Sequence, residues 1–307
     1  MRINTVYKVQ MEELMRLKAM AKINLGLDVL RKREDGYHEV RMIMQTIRMY
    51  DILDIRKTKK PGIVLTTNLP FIPTDRRNLV YKTAEMLMDE FGVEEGLSIK
   101  LRKFIPVAAG MAGGSSDAAA AFVGVNRLFH LGLTEEQLME RAVKVGADVP
   151  YCIMRGTALA EGIGEKLTRL PKVPKCYVLV GKPGINVSTK TAYENLNLAG
   201  IERHPDIDGM IGDIKNGDLY AMASKMENVF EPGIVGQYPV IGQIRDLMEE
   251  KGALRAVMSG SGPTVFGIFD DRDKMAAAAR SLRKSGLAKT VFATDIYNRD
   301  GGVTDDK

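Results

Sequence analysis

Residues Pro106 to Asp117 read Pro-Val-Ala-Ala-Gly-Met-Ala-Gly-Gly-Ser-Ser-Asp and run straight into four alanines, Ala118 to Ala121. This junction constrains the fold more than any other feature of the chain. Small residues let backbone N–H groups approach a ligand closely, and the alanines that follow are strong helix formers. Where such a loop meets a helix N-terminus, unpaired N–H donors and the helix dipole both favour negative charge. The order of loop, two hydroxyls and alanine helix predicts a phosphate cradle. The plainer reading is a flexible loop capping an ordinary helix. No Gly-x-x-x-x-Gly-Lys-Ser/Thr occurs in the chain, so the loop is not a Walker A motif. The His-Arg-Asp and Asp-Phe-Gly signatures of protein kinases are also missing.

The 307 residues are enough for two domains of ordinary size or one large α/β unit. With 45% apolar and 27% charged residues, the chain reads as soluble and globular. A net charge of +5 suits anionic ligands, yet it is scattered, without the basic runs and interleaved aromatics of a nucleic-acid binder. Cys152 and Cys176 form neither a metal motif nor a disulfide framework, and with only His38, His130 and His204 available a zinc site is not expected. No stretch approaches the ~18 apolar residues of a membrane span, and the N-terminus lacks a signal-peptide pattern. A cytoplasmic protein is expected. Met1 to Glu13 is polar, and Met11 or Met15 is an alternative start.

Along the chain, Ile23, Leu25, Leu27 and Val29 alternate with Lys22, Asn24, Gly26 and Asp28, the pattern of a half-buried strand presenting a polar row. Strand patterns follow at 42–49, 51–56 and 63–66, a helical one at 78–91, and a further strand at 97–103 leading into the glycine loop. The helix after the loop is expected from Ser116 to Phe129. Thr134-Glu-Glu-Gln137 is a capping box opening a helix that ends at Gly146. Leu170-Pro-Lys-Val-Pro-Lys175 reads as a linker, dividing the chain into 15–169 and 170–299. Beyond it come a strand at 176–180, helices at 188–196, 240–250 and 274–284, and strands at 254–258, 264–269 and 290–297. That pattern is α+β. The residues from Arg299 to Lys307 form a polar tail.

Four further segments carry reactive or turn-forming groups. Ala21-Lys22-Ile-Asn24-Leu puts a lysine on the polar row of the first strand, where a surface lysine is the plainer reading. Asp35-Gly36-Tyr37-His38 is a turn with an aromatic and an imidazole. Gly146-Ala147-Asp148-Val149-Pro150 isolates one carboxylate, which an N-cap would also explain. Ser259-Gly260-Ser261-Gly262-Pro263-Thr264 is a second glycine-rich turn, which turn geometry alone would justify.

Taken in order, the lysine strand, Pro-x-x-x-Gly-x-x-Gly-Gly-Ser-Ser, Gly-Ala-Asp-Val-Pro and Gly-Ser-Gly-Pro-Thr resemble the GHMP small-molecule kinase superfamily. Arg33-Glu-Asp-Gly-Tyr-His38, Asn78-Leu-Val80 and Gly156-Thr-Ala-Leu-Ala-Glu161 resemble the branch that phosphorylates a cytidine-diphosphate-linked methylerythritol in the non-mevalonate route to isoprenoids. The likeness runs from about Leu17 to Tyr297. It implies an N-terminal ribosomal-protein-S5-domain-2-like unit and a C-terminal ferredoxin-like α/β sandwich, acting as a monomer or weak homodimer on ATP with Mg²⁺, without nucleic acid or membrane.

The resemblance further implies roles. Asp148 would be the base and Lys22 the charge stabiliser, since phosphoryl transfer asks mainly for positioning and neutralisation. Pro106, Ala108, Ala109, Gly110, Met111, Ala112, Gly113, Gly114, Ser115 and Ser116 would hold the ATP phosphates, with Mg²⁺ touching the Ser115 or Ser116 hydroxyl. Asn78 and Lys103 would lie near the adenine. Tyr37 and His38 would hold the cytosine and Asn24 the acceptor, with Gly260 and Ser261 closing from the second domain. Thr189, in the loosely matching Val187-Ser188-Thr189-Lys190, is assigned to the acceptor side. Ala112 departs from the pattern, which commonly has glycine there. Its methyl is tolerable at negative φ but narrows the room for phosphates. Other superfamily kinases act on acceptors without a nucleobase, against which Tyr37 and His38 argue. A non-catalytic nucleotide sensor would have no need of both Lys22 and Asp148.

Overall fold

The structure, a computed structural model, describes residues 14–201 and 203–299. The starts Met1 and Met11, the polar segment up to Glu13 and the tail beyond Arg299 lie outside the described residues. The polar and apolar alternation from Ile23 belongs to β1 (Met15–Lys32), a strand buried on both faces rather than half-buried. Its register against β2 (His38–Thr58) shifts between Met20 and Lys22 and again between Asn24 and Gly26. Each shift turns the following side chains to the opposite face. Leu17 and Ala19 therefore join Leu27 and Val29 in one core cluster, while Ala21, Ile23 and Leu25 enter another. The single apolar face expected from alternation is thus split in two by the bulges.

The two strands form a long hairpin closed at Arg33–Tyr37, where Arg33 N donates to Tyr37 O at 2.7 Å. The separate strands expected at 42–49 and 51–56 are one continuous β2, long enough to pair on its other edge with two partners. β4 (Gly96–Arg102) takes one end, and β5 (Thr157–Gly162), backed by β6 (Lys166–Arg169), takes the other. β3 (Ile63–Thr67) lies parallel beside β4 at the sheet edge. Four helices accompany this sheet: α1 (Leu79–Glu90), α2 (Gly113–Leu128), α3 (Glu135–Ala142) and α4 (Val149–Met154). The capping box of α3 is present, Thr134 and Gln137 each receiving the other's backbone N–H, but the helix ends at Ala142 rather than Gly146. α2 begins at Gly113, three residues ahead of expectation, so the two glycines are inside the helix.

The second half builds a four-stranded antiparallel sheet from β7 (Tyr177–Lys182), β9 (Arg255–Met258), β10 (Val265–Phe269) and β11 (Thr290–Asp295), in the order β11-β7-β10-β9. The last strand lies beside the first, as in a ferredoxin-like sandwich. α5 (Thr189–Glu194), α6 (Ile207–Asn216), α7 (Leu219–Ser224) and α8 (Glu231–Gln237) come before α9 (Val240–Glu250) and α10 (Arg272–Ser285). Alternate residues of β7 separate the two faces of this sheet. Leu179 packs in the cluster holding α9 and α10, whereas Val178 and Val180 pack with Ile23, Leu25 and Ile47 of the first sheet and with α6 and α7.

The two halves therefore share a core across the Pro-rich segment. A two-residue strand, β8 (Glu227–Asn228), leaves the second half and pairs parallel with β1 at Gly26 and Leu27. Ile296 bridges to Ile47, and Arg299, expected to head a polar tail, is docked on Glu135 and Met154 O. Among the described residues no helix is long and apolar enough to cross a membrane.

Candidate active site

Both halves line a cavity of about 1160 Å³. Its floor is the glycine loop, where Ala108, Gly110 and Ala112 all take positive φ (52°, 69° and 54°). The first helical hydrogen bond of α2 runs from Ser116 N to Ala112 O at 2.8 Å, and no side chain caps this end. The amides of Gly113, Gly114 and Ser115 precede the helical ladder and are the donors an anion would meet.

The condition set for Ala112 is not satisfied, because its φ is positive. Relief of a left-handed alanine is worth about 1–2 kcal/mol. Added chain entropy takes back about 0.4–1 kcal/mol. Losing part of a methyl's burial costs up to about 0.8 kcal/mol more. Ala112→Gly is therefore expected to be nearly neutral in a urea titration. Ala108→Gly, at an exposed position, is expected to gain about 0.5 kcal/mol; a lower midpoint for Ala108→Gly would contradict the strain argument.

The second glycine turn sits directly on the first. A Cβ on Gly110 would lie 2.1 Å from Ser259 O, and Ser259 Oγ donates to Gly110 O at 2.9 Å. Asn228 holds the turn from behind by donating to Met258 O and Gly260 O. Gly260 and Ser261 line the cavity, and Ser261 Oγ lies 2.9 Å from Thr189 Oγ1 at the start of α5.

Lys22 emerges from β1 nearly buried, its ammonium donating to Asn24 Oδ1 at 2.6 Å and to Gly110 O at 3.2 Å. Asn24 is fully buried and does not line the cavity. The sequence expectation set Asn24 on the acceptor; in the structure its side-chain oxygen is occupied by Lys22. Asp148 occupies the N-cap position of α4, yet its side chain makes no capping bond and is presented to the cavity. No ion pair joins it to Lys22 among the described residues. Its charge reaches three neighbours that burial has already shifted, Tyr151 among them. The Tyr193 hydroxyl and the Cys152 thiol are each pushed up to about 12, by burial first and Asp148 second.

Aromatics also line the cavity. Tyr37 is exposed at the hairpin tip, and the His38 ring lies 4.9 Å from that of Tyr193, which meets Phe230 edge-on at 4.8 Å. Burial and then nearby Lys32 lower the His38 pKa. A neutral imidazole there can both donate and accept along the edge of a base. Tyr193 was not foreseen; it comes from the other half of the chain, and its only sequence signal is its place four residues after Thr189, on the same helical face.

Three expected nucleotide residues spend their polar groups within the protein. Asn78 caps α1, accepting from Val80 N at 2.9 Å and donating to Pro73 O at 2.8 Å. The Lys103 ammonium donates to Asp51 and, at 2.6 Å, to Asp117. Burial opposes its charge, but the two carboxylates outweigh this and its pKa rises. Burial, reinforced by Asp51, also pushes Asp117 well above the usual carboxylate range, and its Oδ1 has no hydrogen-bond partner. Ser116 is buried and donates to Met20 O at 2.6 Å, so the hydroxyl facing the cavity is that of Ser115. Met111 is buried in the core beneath the loop. Asn78 and Lys103 still form cavity wall, as do Pro106, Ala109 and the exposed Phe71. Among the described residues no cluster of three His, Cys, Asp or Glu side chains could hold a metal.

Residues 78–156 match the family model described as GHMP kinases N terminal domain, and 210–288 match GHMP kinases C terminal. A protein of Lachnospira eligens called 4-diphosphocytidyl-2-C-methyl-D-erythritol kinase is 53% identical over 285 residues, 93% of this chain and 99% of its own. The protein of the same name from Lachnoclostridium phytofermentans is 50% identical over 93% of this chain and 98% of its own. A solved structure, the crystal structure of 4-(cytidine 5'-diphospho)-2C-methyl-D-erythritol kinase, superposes with a TM-score of 0.79 at 29% identity, covering 93% of this chain and 100% of that one.

Proposed function

From a chain that belongs to the GHMP kinase family, in the branch of the 4-diphosphocytidyl-2-C-methyl-D-erythritol kinases, we propose transfer of the γ-phosphoryl group of ATP to the 2-hydroxyl of 4-diphosphocytidyl-2-C-methyl-D-erythritol. The observation that carries this reading is one cavity lined together by the glycine loop at the start of α2, by Asp148 without an ion-pair partner and Lys22, and by the His38–Tyr193 ring pair.

In this reading the amides of Gly113, Gly114 and Ser115 hold the phosphates. Asp148 accepts the proton of the acceptor hydroxyl as the P–O bond forms, and Lys22 neutralises charge on the transferring group. Holding both substrates in line supplies much of the rate. Ser115, whose hydroxyl is the one left to face the cavity, is the residue that would reach an ATP-bound Mg²⁺, which would neutralise phosphate charge. Tyr37 and Tyr193 stack on the cytosine, and His38 reads its edge. The enzyme would work in the cytoplasm as a monomer or weak homodimer.

The test is ATP-to-ADP turnover with this acceptor, with homoserine and with mevalonate. Turnover with the cytidyl acceptor alone is expected; a preference for either other acceptor would overturn the aromatic assignment. Removing one stacking ring costs about 1–3 kcal/mol per base. Tyr193→Ala is accordingly expected to raise KM for the cytidyl acceptor about tenfold, with kcat and KM for ATP nearly unchanged. Steady-state kinetics decide it, and an unchanged acceptor KM would remove Tyr193 from the site.

A further inference from the structure

In β1, Lys18 and Met20 stand just before the register shift and Lys22 just after it, and Asp148, Cys152 and Arg155 follow one another at the helical spacing of one face of α4 and its C-terminal end. The two series run side by side as rungs of a ladder. At the first rung Arg155 Nη2 donates to Lys18 O at 2.9 Å. At the second, Ser116 Oγ donates to Met20 O at 2.6 Å while lying 3.4 Å from Cys152 Sγ. The third, Lys22 and Asp148, is open and faces the cavity. All six residues of α4 are buried, so the helix moves only as a body.

The closed end is anchored with unusual cost. Arg155 has φ 57° and ψ 176°, a conformation that is essentially glycine's, and the next residue is Gly156. A glycine at 155 would remove the strain, and the arginine there keeps a tether that glycine lacks. Met154 O beside it accepts from Arg169 and Arg299, cations where the helix dipole favours them. Tyr151 OH donates to Gly156 O at 2.7 Å. The far end of α4 is therefore pinned, and its near end carries the carboxylate.

We propose that Arg155 and Ser116 are positioning residues for phosphoryl transfer: by closing two rungs between β1 and α4 they set the width of the third, across which Asp148 faces Lys22. This inference rests on the reading of Asp148 as the base. Neither residue is placed against a substrate, and both act through the geometry of the open rung.

The experiment compares Arg155→Gly, Arg155→Lys, Ser116→Ala and Asp148→Asn, alone and with Arg155→Gly combined with Asp148→Asn. It measures kcat, KM for ATP and for the cytidyl acceptor, and the melting temperature. Misplacement of a catalytic group by a fraction of an ångström to an ångström costs on the order of ten- to a hundredfold in rate. Arg155→Gly is expected to lose kcat by that factor, with KM for ATP unchanged and a melting temperature no lower than wild type, because strain is relieved. Arg155→Lys should restore part of the rate. Ser116→Ala should lose kcat beyond what its melting temperature explains. On an Asp148→Asn background the Arg155→Gly effect should vanish, since both act through one group. A wild-type kcat for Arg155→Gly, or a loss that tracks a fall in melting temperature and persists in the double variant, would overturn the proposal. Full turnover by Asp148→Asn would instead remove the base assignment itself, and this inference with it.

Discussion

Asp148→Asn is expected to lower kcat by roughly 10²–10⁴, the range of a positioned general base, while leaving KM for ATP and the melting temperature close to wild type. The separation between activity and stability follows from geometry. Although Asp148 stands at the N-cap of α4, its side chain makes no capping bond, so an amide of the same shape takes no hydrogen bond away from the helix. What the amide cannot do is accept the proton of the attacking hydroxyl. The cradle amides and Lys22 remain in place and continue to hold the phosphates, which is why ATP affinity should persist. Initial rates alongside a thermal melt are sufficient. A kcat within tenfold of wild type would place the base elsewhere. A melting temperature lowered by many degrees would mean that Asp148 does serve the helix.

Gly110→Ala is expected to be strongly disruptive, costing about 2–5 kcal/mol and abolishing ATP binding. The added Cβ would lie 2.1 Å from Ser259 O and 3.1 Å from its carbonyl carbon, so backbone must shift rather than a side-chain tip. Overpacking of this kind costs about 1–3 kcal/mol, and a left-handed alanine about 1–2 kcal/mol more. The movement also displaces the Gly110 carbonyl, which accepts from both Lys22 and Ser259. One substitution thus loosens Lys22 and the contact between the two halves. Gly114→Ala makes the contrast. Its nearest neighbour is Leu79 Cδ1 at 3.8 Å, an ordinary contact, and alanine suits a helix interior better than glycine. Urea unfolding of the two variants, with calorimetric titration of an ATP analogue, would show the difference; a Gly110→Ala protein as stable as Gly114→Ala would contradict the packing argument.

Much of this site is legible from residue types because its chemistry depends on residues that few other roles require. A loop without side chains ahead of an alanine helix, and a capping box at Thr134, announce themselves through local rules. The long-range features do not. The alternation from Ile23 to Val29 reads as one face because a bulge leaves no mark in the sequence, and the register shift between Asn24 and Gly26 divides it into two. Asn78, Lys103, Ser116 and Asn24 sit where motifs place them, but their polar ends point into the protein, where carbonyls and carboxylates of distant segments claim them. Tyr193 was invisible for the opposite reason: nothing near it in sequence tells that His38 will be its neighbour. The helices between 203 and 239 escaped notice because they are short and their apolar faces meet strands of both halves.

The order in which the chain is made bears on one of these features. β1 is made ahead of every other described strand, yet its outer edge is completed only by β8, and Ile23 and Leu25 are covered only once the second sheet exists. For most of its synthesis the nascent chain therefore carries an unfinished sheet with one apolar face bare, a form prone to pairing with the wrong neighbour. The sheet edge closes when the Glu227–Asn228 segment arrives, and the apolar face only when the strands that follow it have completed the second sheet.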